Sequence, residues 1–197
     1  MDAQVGRKTP LHEQHLAAAG KMVPFAGYTM PIQYPTGIRA EHQAVREAAG
    51  MFDVSHMGEF WVEGNEAEAF TQYMTVNDVS ATDVGQAQYS ALCNEGGRVL
   101  DDLLVYRFPD RFLLVVNASN RAKDWAWLER HAGEFDVVLR DESDTTALIA
   151  LQGPKAQVIL DALTETELEG IGYYRFTEGA VAGVSGIISR TGYTGED

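Results

Sequence analysis

The sequence predicts an α+β fold, and three observations carry that expectation. Hairpin signals run through residues 86–119, helical stripes fall between strand groups without regular alternation, and glycine-separated short strands fill the last 25 residues. Hairpins mixed with helices point to mixed or antiparallel sheets rather than a parallel doubly wound sheet.

Residues 9–20 predict a helix, with Thr9 as N-cap, Pro10 at the first helical position and Gly20 as the stop. Residues 37–50 predict a second helix, with Ile38, His42, Val45 and Ala49 on one stripe and Gly50 ending it. Between them, the prolines and glycines of residues 24–37 predict a long loop without a regular element. Its Tyr28, Met30, Ile32 and Tyr34 either pack on a core or line a pocket.

Residues 51–64 read as one or two strands, and 65–74 as a short helix capped by Asn65. Residues 86–119 read as three strands, turned by "NEGG" and then by "PD". Residues 119–135 form a helix expected to bury Ala122, Trp125 and Leu128. Residues 136–140 add a strand and 141–146 a polar connection. A strand, a Gly-Pro turn and a helix starting near Pro154 follow, then the glycine-separated strands from Tyr173 onward.

With 197 residues, 45% of them hydrophobic, the chain can bury one large core or two small ones. No apolar run approaches the roughly 20 residues that span a bilayer, and the first residues lack a signal-peptide core. A lone cysteine, Cys93, suits a reducing compartment, so the expected location is cytoplasmic. Fifteen basic against 29 acidic residues give a net charge of -14, which repels nucleic acid and anionic membranes. No nucleic-acid or membrane partner is expected.

The segment "GGRVLDDLLVYRF" carries the sharpest signal. Ionised carboxylates are costly to bury and rare in strands, yet Asp101 and Asp102 stand together in one. Alternation puts Asp102, Leu104 and Tyr106 on one face and Asp101, Leu103 and Val105 on the other. Leu103 and Val105 read as core, with Asp101 at the turn end, reaching solvent or capping backbone N–H groups. Asp102 and Tyr106 suit a polar ligand pocket, although acids after a glycine turn also serve to stabilise the turn.

Other groupings are weaker. His12 and His15 lie three apart on a helix, but no cysteine partners and no HExxH motif accompany them, so no metal is expected. His56 suits an acid–base role or a structural one, and Ser55 lacks the strained elbow of a nucleophile. Neither a P-loop nor GxGxxG is present. The adjacent Tyr173 and Tyr174 serve either as half-buried packing or as a wall for a flat heterocycle.

Six motifs occur in order: residues 9–34, "GMFDVSHMGE", "NEGGRVLDDLLVYR", "LLVVNASNRAKDWAWL", "ALIALQGP" and "SRTGYTGED". Together they resemble the N-terminal part of the glycine cleavage system T-protein family, the aminomethyltransferases. The resemblance implies the three-domain folate-binding fold, with a discontinuous first domain at 1–50 and 141–197, a second domain at 51–140, and the third domain beyond this chain. It implies transfer of a one-carbon unit from the aminomethyl-lipoyl arm of the H-protein to tetrahydrofolate, with ammonia released and no metal.

In that family an aspartate of the "DDL" segment faces the folate. The alternation favours Asp102 for that place, as a base or electrostatic partner of a folate amine, over Asp101. Tyr106 lies two positions along on the same face. By resemblance Tyr89, Leu104, Asn117, Tyr173, Tyr174 and Tyr193 match folate-lining positions, with Asn117 offering a donor and an acceptor. The competing expectations are a non-catalytic folate-binding module or inactive fragment, and a folate-dependent demethylating oxidase relative.

Overall fold

The structure is a computed structural model that describes residues 6–196. Its helices are α1 (His12–Ala17), α2 (Ile38–Glu47), α3 (Ala67–Met74), α4 (Arg121–Ala132) and α5 (Ala156–Asp161). Its strands are β1 (Met22–Phe25), β2 (Tyr28–Pro31), β3 (Gly50–Asp53), β4 (Gly58–Glu63), β5 (Gln86–Cys93), β6 (Val99–Arg107) and β7 (Arg111–Val116), followed by β8 (Val138–Asp141), β9 (Ile149–Gln152), β10 (Phe176–Val181) and β11 (Val184–Ser189). All the sheet pairings resolved between these strands are antiparallel, which makes the fold α+β as the sequence predicts.

The chain divides into two compact units. One holds residues up to His56 with Ala147–Ile171 and Glu178 onward; the other holds Met57–Thr146 with Gly172–Thr177.

The first unit contains the hairpin β1–β2 and the antiparallel pair β3–β9. Residues 24–37, expected as a loop, instead supply the end of β1, the turn and all of β2. Ala26 (φ 50°) and Gly27 (φ 82°) both take left-handed backbone, the requirement of a two-residue turn matched to strand twist. Pro24 and Pro31 are tolerated because a two-stranded ribbon leaves outer N–H positions unpaired. Tyr28 and Met30 point inward, while Ile32 is exposed.

Helix α1 begins two residues later than Pro10, with Leu11 and not Thr9 at its cap. In α2 only Val45 of the expected stripe is buried; Ile38 and His42 are exposed, and Gly50 opens β3. Leu168, Ile171 and Ile188 form a small core with Leu160 and Val181. Within this unit His15 joins Tyr34 Oη and Asp53 Oδ2, each at 2.8 Å. Burial pushes the Asp53 carboxyl up, but hydrogen bonds from His15 and Ser55 hold it below the usual range.

The second unit is a five-stranded antiparallel sheet in the order β5-β6-β7-β4-β8. Three consecutive strands, β5 to β7, arise from residues 86–119, as the turn signals predict. One face carries Phe60, Val62, Leu103, Val105, Phe112, Leu114 and Val116, packed with Phe70 and Met74 of α3 and Leu128 of α4. Burying each such side chain contributes about 1.5–3 kcal/mol.

In this unit the cap expected for α3 fails, and the stripe expected for α4 holds at Trp125 and Leu128 but not at Ala122. Asn65 does not cap α3; its side chain donates to Asp136 at 2.7 Å. The buried row of α4 is Arg121, Asp124, Leu128 and His131, whereas Ala122 is exposed. The docking side of the helix therefore carries polar residues alongside Trp125 and Leu128.

Candidate functional site

The opposite sheet face carries four of the expected ligand residues, Tyr89, Asp102, Leu104 and Tyr106. Antiparallel partners lie directly opposite and share a face. Tyr89 opposes Leu104, Leu104 opposes Val115, and Val115 opposes Glu59, so one row crosses four strands. Asp102 and Tyr106 lie two residues either side of Leu104 on that face. Burial alternates from Asp101 to Val105, with Asp101 5% exposed and Asp102 exposed. A bulge in the β5–β6 ladder falls between Asp101 and Val99, before the pair, so alternation from Asp101 onward is intact.

Asp102 is held by two neutral donors. Tyr89 Oη donates to Oδ2 at 2.8 Å and Asn117 Nδ2 donates to Oδ1 at 2.9 Å. The Tyr89 phenol is raised above its ordinary pKa, first by its hydrogen bond to Asp102 and then by that carboxylate's charge. Each carboxylate oxygen keeps a second lone pair with which to accept from a ligand.

Asp101 does not serve the "NEGG" turn and does not reach solvent. Its carboxylate accepts from Asn117 N (3.1 Å), Asn117 Nδ2 (3.0 Å) and Asn120 Nδ2 (2.5 Å). It therefore fixes the corner where β7 leads into α4. Asn117 is the bridge between the two acids, since its amide group also meets the Asp102 carbonyl at 3.0 Å. The donor half of Asn117 is thus engaged within the protein.

The aromatic residues come from two places. Tyr173 and Tyr174 lie on residues 172–177, which run beside β5 through Ala87 N to Tyr174 O (2.8 Å) and Phe176 N to Gly85 O (2.9 Å). Their rings are 4.7 Å apart between centroids, and Tyr173 is 75% exposed. Tyr174 has φ 58°, an uncommon conformation for a bulky residue and one associated with functional sites. Burial, then Tyr173 and Tyr106, raise its phenol. Tyr106 is buried against the Phe176 ring at 5.2 Å, so it packs and does not present a free face. Tyr89 is 55% exposed. Tyr193 belongs to the other unit and is itself exposed.

Two carboxyls that the sequence reading passed over also stand out. Glu59 is 3% exposed, on the same row as Tyr89 and Leu104, and among the described residues neither of its oxygens has a hydrogen-bond partner. Burial pushes it up to about 8, against an opposing pull from Arg121, with Asp141 adding to the rise. Asp124 is fully buried and likewise pushed up to about 8, by burial first and by Asp101 next. An acid inside the apolar run "GEFWV", and one on the same helical row as Leu128, were the signals available for them.

The remaining candidates are structural in their surroundings. His56 packs edge-on against Phe25 and Tyr28 at 5.6 and 6.1 Å, and burial lowers it against the pull of Asp53. Ser55 Oγ accepts from Leu148 N at 3.0 Å, tying two chain segments together. A cavity of about 80 Å³ lies in the first unit between Leu151, Ala156, Leu160 and Ile188. It is far below the 300–1,000 Å³ usual for ligand pockets, and no candidate residue lines it. Among the described residues no group of three or more His, Cys, Asp or Glu could hold a metal ion, and no helix is long and apolar enough to cross a membrane.

Comparison with known proteins matches residues 11–197 to the GCVT N-terminal domain. The chain is 53% identical over 192 residues to an aminomethyltransferase of Thermotoga petrophila, covering 97% of this chain and 52% of that protein. It is 55% identical over 189 residues to an aminomethyltransferase of Chloroherpeton thalassium, covering 95% of this chain and 52% of that one. The chain therefore spans about half the length of the curated relatives it matches. Its fold matches the crystal structure of glycine cleavage system aminomethyltransferase T from Bartonella henselae with a TM-score of 0.89 and 37% identity, over 97% of this chain and 52% of that chain. A heterotetrameric sarcosine oxidase from Corynebacterium sp. U-96 shares the fold alone, with a TM-score of 0.56 and 18% identity over 78% of this chain and 77% of that one.

Proposed function

The chain belongs to the GCVT N-terminal domain family, and from that premise we propose that it forms the N-terminal part of an aminomethyltransferase of the glycine cleavage system. The whole protein would take the aminomethyl group from the lipoyl arm of the H-protein, release ammonia and pass the one-carbon unit to tetrahydrofolate. A cytoplasmic setting goes with that role.

The observation that carries this reading is the Tyr89–Asp102–Asn117 arrangement at the exposed β5–β6 end of that sheet face, with Tyr173 and Tyr174 on the segment beside β5. Two neutral donors orient the Asp102 carboxylate without neutralising it. Such a group accepts a hydrogen bond from an attacking amine and stabilises the positive charge that grows there. The side-chain carbonyl of Asn117 is left to accept from a pterin edge, because its N–H groups are engaged by the aspartates. The exposed rings of Tyr89 and Tyr173 supply flat apolar faces for a heterocycle. Tetrahydrofolate brings the nucleophilic amines and the flat ring that such a surface suits.

Ligand-linked stability tests the reading. A ligand at 100 times its Kd raises stability by about 2.7 kcal/mol. Tetrahydrofolate should raise the melting temperature of the chain, ATP and NAD should not, and Asp102→Asn should weaken the tetrahydrofolate effect. A shift with ATP or NAD and none with tetrahydrofolate would sink the proposal.

A further inference from the structure

Helix α4 docks its first turn onto the start of β6. Asn120, just before the helix, donates to Asp101 Oδ1 at 2.5 Å, and Lys123 Nζ donates to the Leu100 carbonyl at 2.5 Å. Residues four apart share a helix face, so Asp124 projects from the same side as Asn120, one turn further along. It is fully buried, on the helix face whose Asn120 side chain meets the Asp101 carboxylate.

No N–H or O–H group among the described residues donates to either oxygen of Asp124. A cation, Lys123 Nζ, stands 4.0 Å from Oδ1, with its hydrogen bonds directed to Leu100 and Asn120. Two ionised carboxylates facing each other without a donor between them are untenable in a site this dry. One proton between them resolves both problems: it gives Asp124 a partner and leaves a single negative charge on the two groups together. The acid that retains the proton is the one with fewer donors. Asp101 already accepts three hydrogen bonds from Asn117 and Asn120, so it carries the charge.

We infer that Asp124 is a positioning residue: its carboxyl proton is donated to Asp101, and the resulting buried carboxyl pair fixes Asn117, which in turn holds Asp102. Through that shared proton the chain runs from Asp124 to Asp101, whose contacts with Asn117 lead on to Asp102 Oδ1. The charged groups facing Asp124 are Asp101 from β6 and Lys123 from its own helix, which act in opposite directions. The influence on ligand binding rests on Asp102 facing the ligand as proposed above; the shared proton does not.

The test uses the 197-residue chain and carboxyl carbon NMR. In the wild type, a step near pH 8 should appear at Asp124. Asp124→Asn, whose amide can still donate to Asp101, should abolish that step and leave the Asn117 side-chain amide signals in place. Asp124→Leu, which fills the space without a donor, should move those amide signals. An Asp124 titration in the ordinary carboxyl range, or Asn117 signals indifferent to Asp124→Leu, would overturn the inference. Failure of the folate reading would show separately, as absence of tetrahydrofolate binding with the carboxyl step unchanged.

Discussion

Tyr89 and Asp102 meet across adjacent strands, phenol to carboxylate, at 2.8 Å. They are not directly opposite: Tyr89 opposes Leu104, and Asp102 lies diagonally, within reach of a long aromatic side chain. The bond orients an exposed carboxylate, and it leaves a mark on the phenol. Asp102→Asn removes the charge that disfavours the phenolate and leaves at most a neutral, weaker acceptor for its proton. The Tyr89 phenol should then titrate at lower pH than in the wild type, read by ultraviolet difference spectra against Tyr89→Phe as the blank. An unchanged titration would mean the two groups do not meet in solution.

The sequence disclosed the sheet more readily than the site. Residues 86–119 announce three strands because the turn residues and alternation agree, and the same alternation separates Asp101 from Asp102. It could not say what Asp101 faces, because that depends on how α4 docks. The apolar stripe put Ala122, Trp125 and Leu128 inward; Trp125 and Leu128 do pack on the core, but Arg121 and Asp124 share that side and Ala122 does not. Polar residues that meet a partner on another element carry no periodic signature. The β1–β2 hairpin was hidden for a different reason. Its prolines argue against a central strand, but an isolated ribbon has no central strand.

Glu59 should make the protein lose stability as the pH rises. In the unfolded chain it releases its proton near 4.5, and in the folded chain it holds it to about 8. The folded state therefore binds more protons across that window. Its contribution is complete below 4.5, declines as pH climbs to about 8, and changes no further above that. Glu59→Gln cannot titrate, so its stability advantage over the wild type should grow from pH 5 to 8 by about 1–3 kcal/mol, within the linkage limit of about 1.4 kcal/mol per pH unit. Urea unfolding at four pH values measures it; parallel pH profiles would contradict it.

Gly153, in the "LQGP" stretch, should resist even the smallest side chain. Its φ is 128°, and an added Cβ would lie 2.6 Å from the backbone carbonyls of Ala48 and Val45. Those oxygens belong to the end of α2 and cannot move alone. Gly153→Ala should cost about 2–4 kcal/mol, combining backbone strain with the clash, seen as a fall in the denaturant midpoint. A cost under about 0.5 kcal/mol, the range of ordinary surface changes, would show that this approach is looser than described.

The two aspartates should fail in different ways. Asp102 is exposed and oriented by Tyr89 and Asn117, so Asp102→Asn leaves the core untouched. In a full-length aminomethyltransferase carrying this sequence, it should cut turnover by about 100-fold or more, the scale of losing a general base or a charged transition-state partner. Asp101 is buried beneath three hydrogen bonds from Asn117 and Asn120. Asp101→Asn turns an amide donor toward other amide donors and leaves at least one buried group unpaired, which costs about 1–3 kcal/mol. Its turnover should fall less than that of Asp102→Asn, and only through the displaced Asn117. The measurement is a melting curve and a turnover rate for each single variant. Equal losses of turnover with unchanged melting would refute the division between a ligand face and an anchoring face. A dead but fully stable Asp101→Asn beside an active Asp102→Asn would move the ligand to the other carboxylate.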